Sequence, residues 1–461
     1  MELAPEFISQ IKSLLPDEAD ALLGALSHDD ATVSLRVNPA RGASVPAALE
    51  RVPWCDLGAY LDGRHQFTFD VDFQSGRYYV QDASSMFIHH VISSLVKTPV
   101  RYLDLCAAPG GKTTAALSAL PAGSLVVANE IVPQRARVLR GNIVKWGYSQ
   151  CIVTSNSPAD YSRLTHFFDV IAADVPCSGE GMFRKDDEAV AQWSPALVSQ
   201  CAERQRMIVD EAWHALRPGG LFIYSTCTYN RSENEDIVEY LADKYGAESV
   251  QVSVDASWKI HPAVNSICHC YRFMPHMTRG EGLFMSVLRK PDDELVRNVM
   301  KVKKQRSGKA KGNVLPRGVE SWLNNAADFN ITENEGNIVA VPVSIAAESA
   351  FLESSLNVIK SGVMLGTVKG KNCLPSHTLA LSLDLNRDAF AQCEVDYAQA
   401  ITFLRGEAMT VDAQRGYVLL THRGIPLGFV NNLGNRANNM LPKSMRILSQ
   451  HVPDEEPIVL K

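Results

Sequence analysis

The sequence predicts an open, doubly wound α/β unit in the middle of a longer chain, with a small α+β module before it and a β-rich domain after it. Three observations carry this reading. Six short apolar runs, at 100–105, 125–128, 151–154, 168–174, 221–224 and 283–288, alternate with mostly helical stretches, the pattern of strands buried in a largely parallel sheet. The first run breaks into a glycine turn and then a helix-forming stretch, Tyr102-Leu103-Asp104-Leu105-Cys106-Ala107-Ala108-Pro109-Gly110-Gly111-Lys112-Thr113-Thr114. Two later runs each lead into a cysteine string, Asp174-Val175-Pro176-Cys177-Ser178-Gly179-Glu180-Gly181 and Tyr224-Ser225-Thr226-Cys227-Thr228. Ligands of open α/β sheets sit beyond the carboxyl ends of the strands, so Cys177 and Cys227 are expected in one cleft.

At 461 residues the chain is too long for one ordinary core and suggests two to four domains. Phe7, Ile8, Ile11, Leu14 and Leu15, then Leu22, Leu23 and Leu26, fall on helical spacing, with Pro16 and Asp17 between them; they predict two helices capping the small N-terminal module. Beyond the central unit, Phe403-Leu404-Arg405-Gly406-Glu407, Gly416-Tyr417-Val418-Leu419-Leu420 and Gly424-Ile425-Pro426-Leu427-Gly428 read as short strands with tight turns in a small barrel-like fold.

Composition narrows the function. No apolar run approaches a membrane span, and Met1-Glu2-Leu3-Ala4-Pro5-Glu6 lacks the regions of a signal peptide. Ten cysteines without framework spacing fit reduced thiols in a cytosol, so the expected location is cytoplasmic. The net charge of −6 argues against a general polyanion binder and leaves nucleic-acid contact to local patches. One is Lys301, Lys303, Lys304, Arg306, Lys309 and Lys311, which reads equally well as a solvated linker; the other is Arg423, Arg436, Lys443 and Arg446. Cys55, Cys106, Cys151, Cys201, Cys373 and Cys393 read as small buried side chains. Cys268-His269-Cys270 has no second pair at zinc spacing, so no metal is expected.

The glycine turn is where a nucleotide-like ligand would lie. Small residues let the backbone approach the ligand closely, and the unpaired N–H groups of the helix start favour its polar groups. The next strand ends at Asn129-Glu130, a carboxylate suited to ribose hydroxyls. A phosphate-binding P-loop is excluded because it requires glycine where Cys106 stands.

Taken together, these strings resemble the Sun-type RNA (cytosine-5)-methyltransferases. The resemblance extends to Arg36-Val37-Asn38-Pro39, Tyr79-Val80-Gln81-Asp82-Ala83-Ser84-Ser85, Arg272, Pro275-His276 and Gly280-Glu281-Gly282. It implies a Rossmann-like S-adenosylmethionine methyltransferase sheet at 96–290, preceded by a module at 1–95 that admits RNA. A basic linker at 291–315, an intermediate domain at 316–390 and a PUA-like RNA-binding domain at 391–461 would follow, the last resembling that domain through Asn439, Pro442, Lys443 and Arg446.

The implied reaction puts a methyl group on carbon 5 of a cytosine, a poor nucleophile until a thiolate adds to carbon 6. Chemistry alone leaves open which thiol attacks; the resemblance assigns Cys227 as nucleophile and Cys177 as the helper that releases product. Asp174 would hydrogen-bond the cytosine edge at nitrogen 3. Cys106, Ala107, Ala108, Pro109, Gly110, Gly111, Lys112, Glu130, Arg135 and Asp174 are the implied cofactor contacts. Family members carry an acid after the third strand for the adenine amine. Here the loop reads Thr154-Ser155-Asn156-Ser157-Pro158-Ala159-Asp160, so Asn156, Ser157 or Asp160 is expected to take that role. The expected substrate is ribosomal RNA of the small subunit (16S), free or assembled, acted on by a monomer without metal or membrane. Transfer RNA is the alternative substrate, and a catalytically silent RNA-binding assembly factor the alternative class.

Overall fold

The computed structural model describes residues 3–292, 315–370, 372–449, 451–453 and 455–460; the basic run at 300–312 lies outside them. The N-terminal module is a four-stranded antiparallel sheet of β1 (Ser34–Val37), β2 (Arg51–Val52), β3 (Cys55–Tyr60) and β4 (Tyr78–Val80), ordered β2-β3-β1-β4.

The central unit follows with β5 (Arg101–Asp104), β6 (Leu125–Asn129), β7 (Cys151–Thr154), β8 (Phe168–Asp174), β9 (Leu216–Thr226), β10 (Glu248–Ser249), β11 (Cys270–Phe273) and β12 (Leu283–Arg289). Strands β5 to β9 run parallel and β12 lies antiparallel to β9. Every residue of β6 and β7 is buried, which is why these strands read as continuous apolar runs. The alternation therefore located the expected Rossmann-like sheet, although apolar runs alone carry no strand direction.

The next stretch contains β13 (Phe329–Asn334), β14 (Asn337–Pro342), the helix Ala346–Ser355, β15 (Val358–Lys360), β16 (Val363–Lys369) and β17 (Asn372–Pro375). β13-β14-β16-β17 form their own antiparallel sheet. β15 instead leaves it and pairs antiparallel with β7, so the central sheet runs β10-β12-β9-β8-β5-β6-β7-β15, with β11 on β12. Ile345, Leu352 and Leu356 share one core with Leu103, Val127, Ile171 and Phe222. The last sheet, β18 (Ala391–Glu394), β19 (Gly416–His422), β20 (Ile425–Asn432) and β21 (Ala437–Asn439), places β18 parallel to β19 and the others antiparallel.

Two expectations are corrected. Phe403 and Leu404 end a helix, Tyr397–Leu404, rather than forming a strand. Asp396 and Gln399 form a capping box at its start, a signal present in the sequence, and Gly406 ends the turn after it at φ +77°. The N-terminal helices, Pro5–Leu14 and Ala19–His28, do not cap the small sheet. Phe7, Ile11, Leu22 and Leu26 pack with Phe183, Trp193, Tyr229 and Met274 of the central unit. Phe7 meets Phe183 and Trp193 edge-on at 5.0 and 5.3 Å. An apolar stripe predicts that a face is buried and not what buries it. No helix among the described residues is long and apolar enough to cross a membrane.

His377 is buried and His89 half-buried, and desolvation, joined at His89 by the Arg36 charge, draws their imidazoles down to about 3 and about 4. Below the ordinary histidine value the unfolded chain takes protons that the fold refuses, so stability falls as pH drops from about 6.5. Each contributes a loss of at most about 2 kcal/mol between about pH 6.5 and about pH 5. Thermal melts across that range should show a steep acid limb for the native chain and a shallower one for His377→Gln.

Candidate active site

Asp174 ends β8 and pairs in register with Ser225 near the end of β9. The Val175 N–H donates to the Ser225 carbonyl at 3.0 Å, keeping the two chains together one step beyond the ladder. Each then turns, and the Sγ atoms of Cys177 and Cys227 come to 3.2 Å. The structure thus brings together the two thiols that the sequence placed in one cleft.

Close backbone contact holds this convergence. Gly181 N donates to the Cys227 carbonyl at 2.7 Å. A Cβ at Gly181 would lie 2.8 Å from that oxygen and 2.9 Å from the Cα of Gly282, so only glycine fits without displacing backbone. The Ser178 and Thr228 hydroxyls meet at 2.9 Å.

Beneath the thiols lie two buried carboxylates to which the sequence reading gave no role. Glu180 Oε1 accepts from Gln10 Nε2 (2.9 Å), Trp193 Nε1 (3.0 Å) and Asn230 Nδ2 (3.0 Å). Its Oε2 accepts from the backbone N–H groups of Tyr229 (2.7 Å) and Asn230 (3.0 Å). Glu233 Oε2 accepts from Ser178 N at 3.0 Å and Gln205 Nε2 at 2.8 Å, and its Oε1 from Asn230 Nδ2 at 2.8 Å. Each carboxylate thereby ties the Cys177 loop to the Cys227 loop. Glu180 stood inside the quoted cysteine string, but a motif lists its buried members without their partners.

Asp174 faces both thiol loops and the glycine turn. Lys112 Nζ reaches its Oδ2 at 2.8 Å and Ser225 Oγ donates to its Oδ1 at 2.8 Å. Burial alone would pull the Lys112 ammonium down, but the charge of Asp174 and their hydrogen bond outweigh it and raise Lys112 above its ordinary value. The Cys227 sulfur adds to that effect. The hydrogen bond to Cys227, burial and the Glu233 carboxylate together hold the Cys177 thiol well above its ordinary range.

The turn from Cys106 to Lys112 lies across the sheet end from these groups. Gly110, at φ +112°, precedes the helix Gly111–Ala119 and has no side chain to cap it, leaving the first-turn N–H groups for a ligand. Arg135 Nη2 donates to the Ala108 carbonyl at 3.0 Å and its Nη1 pairs with Glu130 at 3.4 Å, so this arginine braces the turn against the carboxylate after β6. Ile131 and Val132 follow the buried Glu130 and are 55% and 42% exposed, an apolar surface beside it that sequence reasoning passed over. Asp104, whose Oδ2 accepts from Thr113 Oγ1 at 2.6 Å, is pushed by burial up to about 7. In the loop after β7, Ser157 donates through N and Oγ to Asp160 Oδ2 at 3.0 and 2.9 Å. The Asn156 carboxamide is turned onto the backbone of Asn357.

Other motif residues pair with neighbouring elements. Arg272 pairs with Glu235 in the interior, its Nε at 2.7 Å, and donates to the Tyr229 carbonyl. His276 meets Glu18, just before the second N-terminal helix, at 2.9 Å, and Glu281 pairs with Arg184 and Lys185 at 2.9 and 3.3 Å. Cys55, Asp56 and His89 come within 4.8 Å of one another, but the buried Arg36 guanidinium lies near enough to act on Cys55 and His89 and disfavours a cation there.

The family model described as 16S rRNA methyltransferase RsmB/F matches residues 96–289. The N-terminal domain of 16S rRNA methyltransferase RsmF matches 3–83, and the methyltransferase RsmF PUA domain matches 390–447. The ribosomal RNA small subunit methyltransferase F of Serratia proteamaculans is 30% identical over 412 residues, covering 86% of this chain and 84% of that one. The chain belongs to the ribosomal RNA small subunit methyltransferase F family. The Enterobacter counterpart is 28% identical over 471 residues, covering 95% of each chain. Among solved structures, a methyltransferase homolog from Pyrococcus horikoshii (TM-score 0.53, 24% identity) covers 62% of this chain and 95% of that one. NSun6 from the same organism, crystallised with SFG (TM-score 0.53, 19% identity), covers 63% and 99%. These two share the fold, and the resemblance read from the cysteine strings holds at the level of the family: the chain is a methyltransferase.

Every group facing Glu180 is a donor, so Glu180→Gln turns an amide N–H₂ toward at least one of them. The substitution should cost about 1–3 kcal/mol in thermal or urea unfolding. It should also depress methyl transfer at temperatures where the variant remains folded, because the loop carrying Cys227 loses its anchor.

Proposed function

We propose that this methyltransferase uses S-adenosylmethionine to methylate carbon 5 of a cytosine in small-subunit ribosomal RNA through a covalent Cys227 adduct. The observation that carries the reading is the pair of thiols 3.2 Å apart, with the Lys112–Asp174 pair on the adjoining strand end. One thiol alone suffices to add to a pyrimidine; two in contact suit a cycle that forms and then breaks the same carbon–sulfur bond.

The residues around the glycine turn fit the cofactor. The uncapped N–H groups before Lys112 suit its carboxylate end, the buried Glu130 suits ribose hydroxyls, and Ile131 and Val132 offer apolar surface for the adenine. The NSun6 structure with SFG, an S-adenosylmethionine analogue, supports the same choice. When bound, S-adenosylmethionine supplies an electrophilic methyl group. Cys106, Ala107, Ala108, Pro109, Gly110 and Gly111 line the approach, and Arg135 steadies it.

The Cys227 thiolate adds to carbon 6, moving electron density onto nitrogen 3, where Asp174 and Lys112 stabilise it by hydrogen bonding and sharing a proton. With S-adenosylmethionine bound, the enamine-like carbon 5 would take the methyl group as the sulfonium–methyl bond breaks, leaving S-adenosylhomocysteine. Loss of the carbon 5 proton and cleavage of the carbon–sulfur bond restore the aromatic ring and return the Cys227 thiolate, with Cys177 assisting the elimination. A cytosine must leave its stack to reach these groups, so an unpaired or readily flipped base is the expected target. The PUA domain supports an RNA substrate.

Bisulfite sequencing of total RNA from cells lacking the gene, complemented with native and variant forms, tests the reading. A single 16S mark should disappear with the gene, return with the native chain and stay absent with Cys227→Ala, whose turnover should fall about a thousandfold or more. Cys177→Ala should accumulate an RNA-linked species on denaturing gels. A lost mark in transfer RNA would overturn the substrate, and an unchanged profile the reaction.

A further inference from the structure

Asn357 lies between the residues matched by the methyltransferase and PUA family models, in the stretch that departs from its own sheet to join the central one. We propose that it is a positioning residue of the cofactor site, setting the loop after β7 that borders the adenine end. The inference rests on the S-adenosylmethionine reading above.

The clasp has four hydrogen bonds. Asn357 N donates to Asn156 Oδ1 at 3.0 Å, and its carbonyl accepts from Ser155 N at 3.0 Å and Asn156 Nδ2 at 3.3 Å. Asn357 Nδ2 donates to the Ser155 carbonyl at 3.3 Å. On the opposite side Asn129 grips the same loop: its Oδ1 accepts from Asn156 N and Thr154 Oγ1, both at 3.0 Å, and its Nδ2 donates to the Asn156 carbonyl at 3.0 Å.

The loop is therefore a short bridge held between β6, which ends beside Glu130, and β15. Ser157 and Asp160, the remaining polar candidates for the adenine edge, continue directly from it and are locked to each other. Asn156 spends both ends of its carboxamide on the clasp, so it acts through the loop's position.

The support behind Asn357 is substantial. The neighbouring Lys360 places Nζ 2.9 Å from the Cys151 carbonyl of β7, and Phe351 packs on Phe167 with ring centroids 5.4 Å apart. β15 is the edge strand of the central sheet, and its ladder with β7 together with these two contacts holds it in place.

Isothermal titration of the full chain with S-adenosylhomocysteine tests this, using Asn357→Ala, Asn156→Ala and the double variant. Each single substitution should raise Kd about 3- to 10-fold, the loss of one or two exposed hydrogen bonds. The double variant should bind no worse than the weaker single, because both act on one loop. Steady-state kinetics should show KM for the methyl donor rising with kcat held within about twofold, while RNA affinity and Tm stay near native. A Kd within about twofold of native for Asn357→Ala would overturn the inference, as would fully additive losses, which mark Asn156 as a direct contact. If the native chain bound no S-adenosylhomocysteine, the cofactor reading itself would fall, and the inference with it.

Discussion

Two thiols from different loops must be held in contact without being bonded, and the surrounding architecture answers that constraint. β8 and β9 end in register, but nothing in a parallel pair obliges the loops beyond it to stay together. Glu180 and Glu233 supply the tie. A buried carboxylate costs several kcal/mol unless donors meet its oxygens. Five donors surround Glu180 and three surround Glu233. Because those donors come from separated parts of the chain, separating the loops would strand two charges at once. The polar network is thus the reason the convergence is specific.

The outer modules share in the same constraint. Gln10, on the first helix, is one of the Glu180 donors, and the aromatic contacts of Phe7 fix that helix against the loop following Cys177. The small sheet is keyed to the glycine turn by Arg36, which bonds Gln81 at 2.8 Å and Thr114 of the helix after that turn at 2.6 Å and lies 4.6 Å over the Trp146 ring. Burial draws this guanidinium down to about 10, which still leaves it charged near neutral pH. Neutral acceptors and an indole face therefore solvate a buried cation, and moving the sheet away would undo that solvation. Arg272 does the equivalent beneath the Cys227 loop, through Glu235 and the Tyr229 carbonyl.

The strands and the two thiols of the site were more legible in the sequence than their mechanical support. Apolar runs located β5 to β9, and the strings after two of them located both thiols, because strand ends and glycine turns leave local signatures. Long-range partners leave none: nothing near Glu180 indicates that Gln10 or Trp193 will meet it, and nothing near Asn357 indicates β7. The Phe403-Leu404 misreading differs in kind. Its capping box at Asp396 and Gln399 was legible, but two apolar residues shortly before Gly406 suit a strand as readily as the end of a helix. The partner of the N-terminal helices was not legible at all, since an amphipathic stripe fits any apolar surface of matching width.

The contact that the carboxylates enforce also decides how the two thiols differ. Two thiolates 3.2 Å apart would repel by about 5 kcal/mol even at an effective dielectric constant of about 20, so only one of the pair ionises. The surroundings are unequal. Cys177 sits over Ser178, whose N–H is already given to Glu233, and the Glu233 charge works against a second anion there. Cys227 acts instead on the ammonium of Lys112, which Asp174 keeps protonated and in place. Cys177 is therefore the thiol whose proton is held, by its contact with Cys227, by burial and by the Glu233 charge. The two sulfur atoms are chemically the same, so what distinguishes their surroundings is the placement of one lysine and one glutamate.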